Sequence, residues 1–277
     1  MATLLIGYDV ECVDDDATTP LFIERALRAH EALDAPCTLF CTGMVLHRHA
    51  EALQPLRGHP LFDFEQHTYS HALLKTVVAE TPDGIRLNRG ASLPEIEREV
   101  TRAQAALREV MGVTGLGITG PYCYYRGLAD RPDILEILHA CGIRFTRTYG
   151  RNERDWQPVD LAVQPFWYGP QGFADVLELP LQGWQDCIWR EEHGWQYVGA
   201  YVDHLRTVLD ELAGTDRTWS YGSHDWSSIR EDGDHTVIRR LVEMARERGI
   251  ELITHRAYYE RERARAVSAK AYTSSST

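Results

Sequence analysis

Residues 3–12 read TLLIGYDVEC, an apolar run that passes directly into paired acids. The length and composition of TLLIGY suit a buried strand. Successive strand side chains point to opposite faces, so Asp9 and Glu11 share one, at the strand's carboxyl end. Two carboxylates this close repel each other unless a cation or a proton compensates. Asp14, Asp15 and Asp16, which follow, do not directly follow an apolar strand and read as solvated or helix-capping acids.

Outward from this strand the chain alternates strand-like and helical patterns. TPLFIERALRAHEAL (19–33) spaces its apolar residues near 3.6, as a helix does, whereas CTLFCTG (37–43) and LFDFEQ (61–66) are short strands. SLPEIEREVTRAQAALREVMG (92–112) is the clearest helix. Ser92 caps it, Glu95 completes a capping box, Gly112 ends it, and Ile96, Val100, Ala103 and Leu107 form its buried stripe. Strands near 115–119, 144–149, 176–180, 217–224 and 250–255 are interleaved with helices at 131–142, 197–214 and 235–249. About seven βα units with mostly hydrophobic strands imply an α/β fold, a closed or nearly closed parallel barrel. Chemistry on such a barrel sits at the carboxyl ends of the strands. Residues 1–268 are expected to form this single domain, and the small, polar 269–277 a loose tail.

Composition narrows the function classes. A net charge of −12 argues against nucleic-acid phosphate as a partner, which requires a basic face. The N-terminus has no basic start and too short an apolar run for a signal segment, and no stretch approaches bilayer-spanning length, so a cytoplasmic protein is expected. The six cysteines form no CxxC pair and are expected to be mostly free thiols.

The stretch FDFEQHTYSH (62–71) sets His67 and His71 four residues apart after the third strand, facing the same rim as the paired acids. A turn of helix at HTYSH would put both imidazoles on one face. Two histidines and one carboxylate are a three-ligand set for Zn²⁺ or a similar divalent ion, with positions left open for water and substrate, and the second carboxylate is then left over as a base. A histidine on another strand, His224 in WSYGSHDW, can supply a proton to a departing amine. Other features compete less well. His47 and His49 fall on a helix where their side chains diverge, and His255 reads as structural. The aromatic stretches PYCYY, PFWY and GWQDCIW suit either the core or a platform for sugar rings.

At these residues the chain resembles the polysaccharide deacetylase family (carbohydrate esterase family 4-like), whose fold is a distorted (β/α)7 barrel. The similarity runs from LLIGYDVE to GIELITHRAYY. DVE resembles the first motif of a cytoplasmic-type branch, with Glu as the second acid, which implies Asp9 as general base and Glu11 as metal ligand. HTYSH matches the His-Ser/Thr-x-x-His motif at every defined position, implying His67 and His71 as the other ligands of one divalent ion, Zn²⁺, with Co²⁺, Ni²⁺ or Mn²⁺ as alternatives. The third motif, Arg-Pro-Pro-Tyr, aligns with TGPY. Pro121 and Tyr122 are kept, the tyrosine's backbone N–H implying an oxyanion donor. Thr119 replaces the arginine that orients the base, and Arg126 is the nearest substitute. The fourth motif's Asp-Trp pair matches Asp155 and Trp156, and His224 supplies the last motif's histidine. Trp184 joins the sugar platform.

The resemblance implies removal of an N-acetyl group from an amino sugar or sugar conjugate, with a glycan or small molecule as partner. The same residues also admit an allantoinase-like ring opening, a deformylation, or a sugar-binding barrel that has lost catalysis.

Overall fold

The computed structural model describes residues 1–81 and 84–274. Its strands are β1 (Thr3–Val10), β2 (Cys37–Cys41), β3 (Phe62–Gln66), β4 (Val77–Thr81), β5 (Gly84–Asn88), β6 (Gly117–Tyr125), β7 (Phe145–Arg151), β8 (Phe166–Tyr168), β9 (Phe173–Glu178), β10 (Thr218–His224) and β11 (Glu251–Leu252). The main sheet runs β10-β1-β2-β3-β6-β7-β9-β8, with β11 beside β1. Neighbours from β10 to β9 are parallel, and β8 closes the far edge antiparallel to β9. This is the α/β architecture expected from the sequence. The ring is not a continuous ladder. β3 and β6 share one register pair, Gln66 with Ile118, and a single bridge from Leu181 to Ser220 spans the gap between the β9 end and β10.

All of β1 is buried because both of its faces are covered. Leu4, Ile6, Tyr8 and Val10 pack outward among residues of the Thr18–Leu33, Val198–Leu212 and Thr236–Glu247 helices. Leu5 belongs instead to an interior cluster with Phe40, Phe145, Leu177 and Tyr259 that plugs the amino end of the ring. Above it, on the same face as Leu5, come Gly7 and then Asp9.

Gly7 and Gly222 are register partners on β1 and β10. A Cβ on Gly7 would lie 3.2 Å from Arg147 Nη1, and one on Gly222 2.8 Å from it. The two glycines therefore clear the lane in which the Arg147 side chain, fully buried, crosses the interior. Glu178 compensates for the short ladder that holds β9. Its buried carboxylate accepts from Thr146, Thr148 and Tyr168 hydroxyls and from the Thr148 and Tyr149 N–H groups.

The capping box at Ser92 and Glu95 forms, and Gly112 terminates the segment at φ 73°, although its last turn, Leu107–Met111, is π-helical. No helix among the described residues is long and apolar enough to cross a membrane. The final helix, His255–Ser274, runs on into the stretch expected as a loose tail, whose residues 275–277 lie outside the described residues. His255 is buried between Ser220 and Thr38, in keeping with a structural role.

Candidate active site

Asp9 stands at the carboxyl end of β1, in register with His224 on β10 and Phe40 on β2. It is 5% exposed, and its Oδ1 accepts from Nη2 of Arg147. Thr119, where the family pattern has arginine, is the register partner of Arg147 on the next strand and donates its hydroxyl to the Arg147 carbonyl at 2.9 Å. The guanidinium expected at 119 thus arrives from the neighbouring strand at the same level. Arg126, the substitute suggested by the sequence, is exposed at φ 60° and is not among the residues that line the cavity. A residue in left-handed conformation immediately after the strand breaks its alternation, which is why Arg126 does not reach inward.

Glu11, His67 and His71 meet. Glu11 Oε2 lies 3.0 Å from Nε2 of His67 and 2.9 Å from Nε2 of His71. Its Oε1 accepts from Trp226 Nε1 at 3.1 Å. His67 Nδ1 sits 3.0 Å from the Thr119 carbonyl oxygen. A carbonyl only accepts, so Nδ1 carries a hydrogen, which leaves Nε2, facing Glu11, as the nitrogen that would offer its lone pair to a bound ion. One atom from each of the three side chains can converge within 4.8 Å. Burial raises the Glu11 carboxyl, but the two imidazoles outweigh it and hold the group well below the ordinary 4.5. Two imidazole nitrogens and a charged carboxylate oxygen are the donor chemistry a divalent ion takes, so the residues fit one.

HTYSH does this as a bent loop, not a helical turn. Thr68 and His71 have φ 60° and 62°, which folds the chain back. The Thr68 and Tyr69 carbonyls accept from Gly43 and Met44 N–H groups at the start of the Gly43–Arg48 helix. A Cβ at Gly43 would strike the Tyr69 ring, so the loop docks only because that residue is glycine. His47, on the same helix, is exposed and His49 is buried, so the two diverge.

The acid candidate, His224, is 8% exposed and places Nδ1 2.8 Å from Asp186 Oδ1. Asp186 Oδ2 also accepts from the Ser223 and Ser227 hydroxyls. Burial lowers the His224 pKa, yet Cys187 and Asp186 prevail and hold it well above 6.5. Asp186, in the sequence GWQDCIW, is thus the carboxylate that pairs with His224. The Asp155 carboxylate faces elsewhere and accepts from the Val78 N–H at 2.9 Å.

Tyr122 follows Pro121 in a stretch where the β6–β7 register slips between Thr119 and Tyr124. Tyr122 and Cys123 have φ 68° and 51°, and Arg151 braces them by donating Nε to both carbonyls. Two successive left-handed residues are strain that the surroundings must hold in place, a feature common at functional sites. The Tyr122 ring is 6.1 Å from that of His71.

Asp9, Glu11, His67, His71, Tyr122, Trp156 and His224 all line one cavity of about 400 Å³. Pro121 is buried behind it, and Trp184 packs on the outer helix layer by His193, not at the site. Sequence reasoning missed Arg147, Asp186, Trp226, Arg151 and the β4–β5 hairpin. The hairpin had a signal: PDG (82–84) between two β-prone runs marks a turn.

No curated protein sequence matches the chain. A Mycobacterium smegmatis protein classed as a polysaccharide deacetylase is similar in structure at TM-score 0.69 and 17% identity, covering 96% of this chain and 92% of its own. The Puue allantoinase aligns at TM-score 0.66 and 14% identity, over 93% and 88%. A family 4 carbohydrate esterase from Streptomyces lividans, determined with acetate, aligns at 0.54 and 11%, over 91% of each chain. The family model described as polysaccharide deacetylase matches residues 11–146, beginning at Glu11 and taking in both histidines of the loop, so it is to the polysaccharide deacetylase family that this part of the chain is similar.

Proposed function

We propose that the protein is a metal-dependent hydrolase that removes an acetyl or similar acyl group from the nitrogen of an amino sugar. The observation that carries this reading is the placement of a base and an acid around one three-ligand set, with Asp9 and His224 in register on adjacent strands. A divalent ion held by Glu11, His67 and His71 would polarise the acyl carbonyl and acidify a water.

The chain's own residues supply the remainder. Asp9, its charge paired and its orientation fixed by Arg147, takes the proton of the attacking water. The backbone N–H of Tyr122, in the stretch where the register slips, would donate to the oxygen on which charge develops. His224, cationic through Asp186, gives its proton to the departing nitrogen. An amine leaves poorly unless it is protonated, so the acid matters more for an amide than for an activated ester.

The size of the cavity supports a small substrate over a polymer strand, because the β4–β5 hairpin walls it on one side. That feature also favours, as second reading, a ring-opening amidohydrolase like the allantoinase that shares the fold. Six free cysteines support action in a reducing compartment, the cytoplasm.

The test measures kcat/KM of the metal-loaded protein on N-acetylglucosamine and on an aryl acetate. Asp9→Asn should keep its metal and lose ~10²–10⁴-fold on both. His224→Ala should lose severely on the amide and much less on the ester. Equal losses on both substrates in the His224 variant would remove the acid role, and near-normal kcat in Asp9→Asn would remove the base.

A further inference from the structure

The wall of the cavity facing away from the strands' own machinery is made by the β4–β5 hairpin. Ala79 and Arg86 are cross-strand partners there, and both line the cavity together with Asn88. Side chains alternate along a strand, so Ile85 and Leu87, 74% and 53% exposed, take the outer face and Arg86 and Asn88 the inner one. The hairpin is tethered through Asp155, whose carboxylate accepts from Val78 N–H and whose carbonyl accepts from Arg151 Nη1. This places Arg151, also a lining residue, beside the hairpin.

Both guanidiniums are electrostatically uncompensated. Arg151 is only 4% exposed, and among the described residues it donates to carbonyl oxygens alone, forms no ion pair and leaves Nη2 without a hydrogen bond. The Arg86 side chain forms neither an ion pair nor a hydrogen bond among the described residues, its backbone alone being paired, with Ala79. The carboxylates of the cavity are committed elsewhere, Asp9 to Arg147 and Glu11 to the two imidazoles. Glu191, from the Asp186–His193 helix, is the remaining acid of the lining, so two guanidiniums outweigh it. In a chain of net charge −12, two unpaired arginines in one small cavity are a local exception. Arg151, buried without an anion, lacks the partner that normally offsets its desolvation, whereas Arg86 is exposed at the cavity's hairpin wall.

We propose that Arg86 and Arg151 form an anion subsite, which selects substrates that carry a carboxylate or phosphate group in addition to the acylated nitrogen. This rests on the reading of the site as a deacylase and names its substrate class. A planar fork of donors suits the paired oxygens of either group, and Asn88 offers an amide donor on the same face.

The experiment titrates the metal-loaded full chain with N-acetylglucosamine, its 6-phosphate and the corresponding uronic acid, in parallel with acetate-release assays. The expected result is ~10–100-fold tighter binding of one or both anionic sugars than of the neutral one, from the strength of charge-assisted hydrogen bonds. In Arg86→Gln the ratio of anionic to neutral affinity should fall toward one, and Arg86→Lys should restore part of it. A preference for the phosphate ester alone, or for the uronic acid alone, identifies the anionic group. Equal affinities in the unaltered protein, no binding of any of the three, or a preference that survives Arg86→Gln overturns the subsite. Arg86-dependent binding of an anionic sugar with no acetate released from any substrate leaves the subsite standing and overturns the deacylase reading instead.

Discussion

Replacing Arg147 by methionine keeps most of the side chain's volume and removes its charge from the interior. Arg147 is fully buried, its partner Asp9 is 5% exposed, and the guanidinium lies 4.5 Å from the Phe40 ring centroid. Breaking a buried pair by deleting one partner typically costs ~3–5 kcal/mol, because the other charge stays buried alone. Two features adjust that figure here. Loss of the contact with Phe40 adds to the cost, by up to about 2 kcal/mol when desolvated. Against it, Arg147 Nε and Nη1 have no hydrogen-bond partner among the described residues, so deleting them returns part of that cost. The net destabilisation should fall near the lower bound, about 3 kcal/mol, or roughly 6–12 °C in Tm for a domain of this size. An isolated buried carboxylate relieves itself most cheaply by binding a proton, which removes the base, so kcat should fall ~10²-fold or more. The double variant Arg147→Met/Asp9→Asn carries no isolated charge and should recover most of the stability but none of the activity. Urea denaturation midpoints and acetate release measure both. A single variant within ~1 kcal/mol of the unaltered protein and within tenfold of its kcat would refute the reasoning.

Removing one metal ligand by His67→Ala should abolish stoichiometric divalent-ion content by elemental analysis, while His47→Ala, on the surface, should not. Because the His224 pKa is raised, the acid form persists above 6.5, and kcat should decline only on an alkaline limb beyond that value. Asp186→Asn removes an upward pull, so the limb should move to lower pH. A cation on Glu11 works the other way, which makes the displacement of the limb, not its absolute position, the quantity to read from the pH–rate profile. Gly222→Ala puts a methyl 2.8 Å from Arg147 Nη1 and nearer still to Leu181, and should cost ~1–3 kcal/mol in thermal or urea unfolding through overpacking. No stability loss there would mean that the lane for Arg147 is wider than the two glycines make it.

What could be read from the sequence is what depends on neighbours along the chain. The face shared by Asp9 and Glu11 follows from strand alternation alone, and the pairing of His67 with His71 follows from a short spacing, even though a bent loop and not a helical turn delivers it. The capping box at Ser92 and Glu95 is likewise local. The residues that were missed all act across the ring. Asp186 meets His224 from 38 positions away, and nothing in GWQDCIW distinguishes that acid from Asp155 in RDW until both are placed. Arg147 meets Asp9 across 138 positions. Its assignment required a register, Thr119 against Arg147, that no periodicity encodes.

The arginine shows why a missing motif residue is weak evidence for a lost function. On one face of a parallel sheet, side chains from neighbouring strands at one level point into the same small volume, so a cation can reach a fixed carboxylate from more than one of them. What the interior demands is not a particular position but an open path. Here that path is cleared by Gly7 and Gly222, register partners on the two strands that carry Asp9 and His224. Thr119 then fits the role left to it, a small polar residue whose hydroxyl holds the Arg147 backbone and whose carbonyl fixes the His67 tautomer. The substitution that looked like damage to the base thus leaves a single residue contacting both the strand that orients the base and a ligand of the proposed ion.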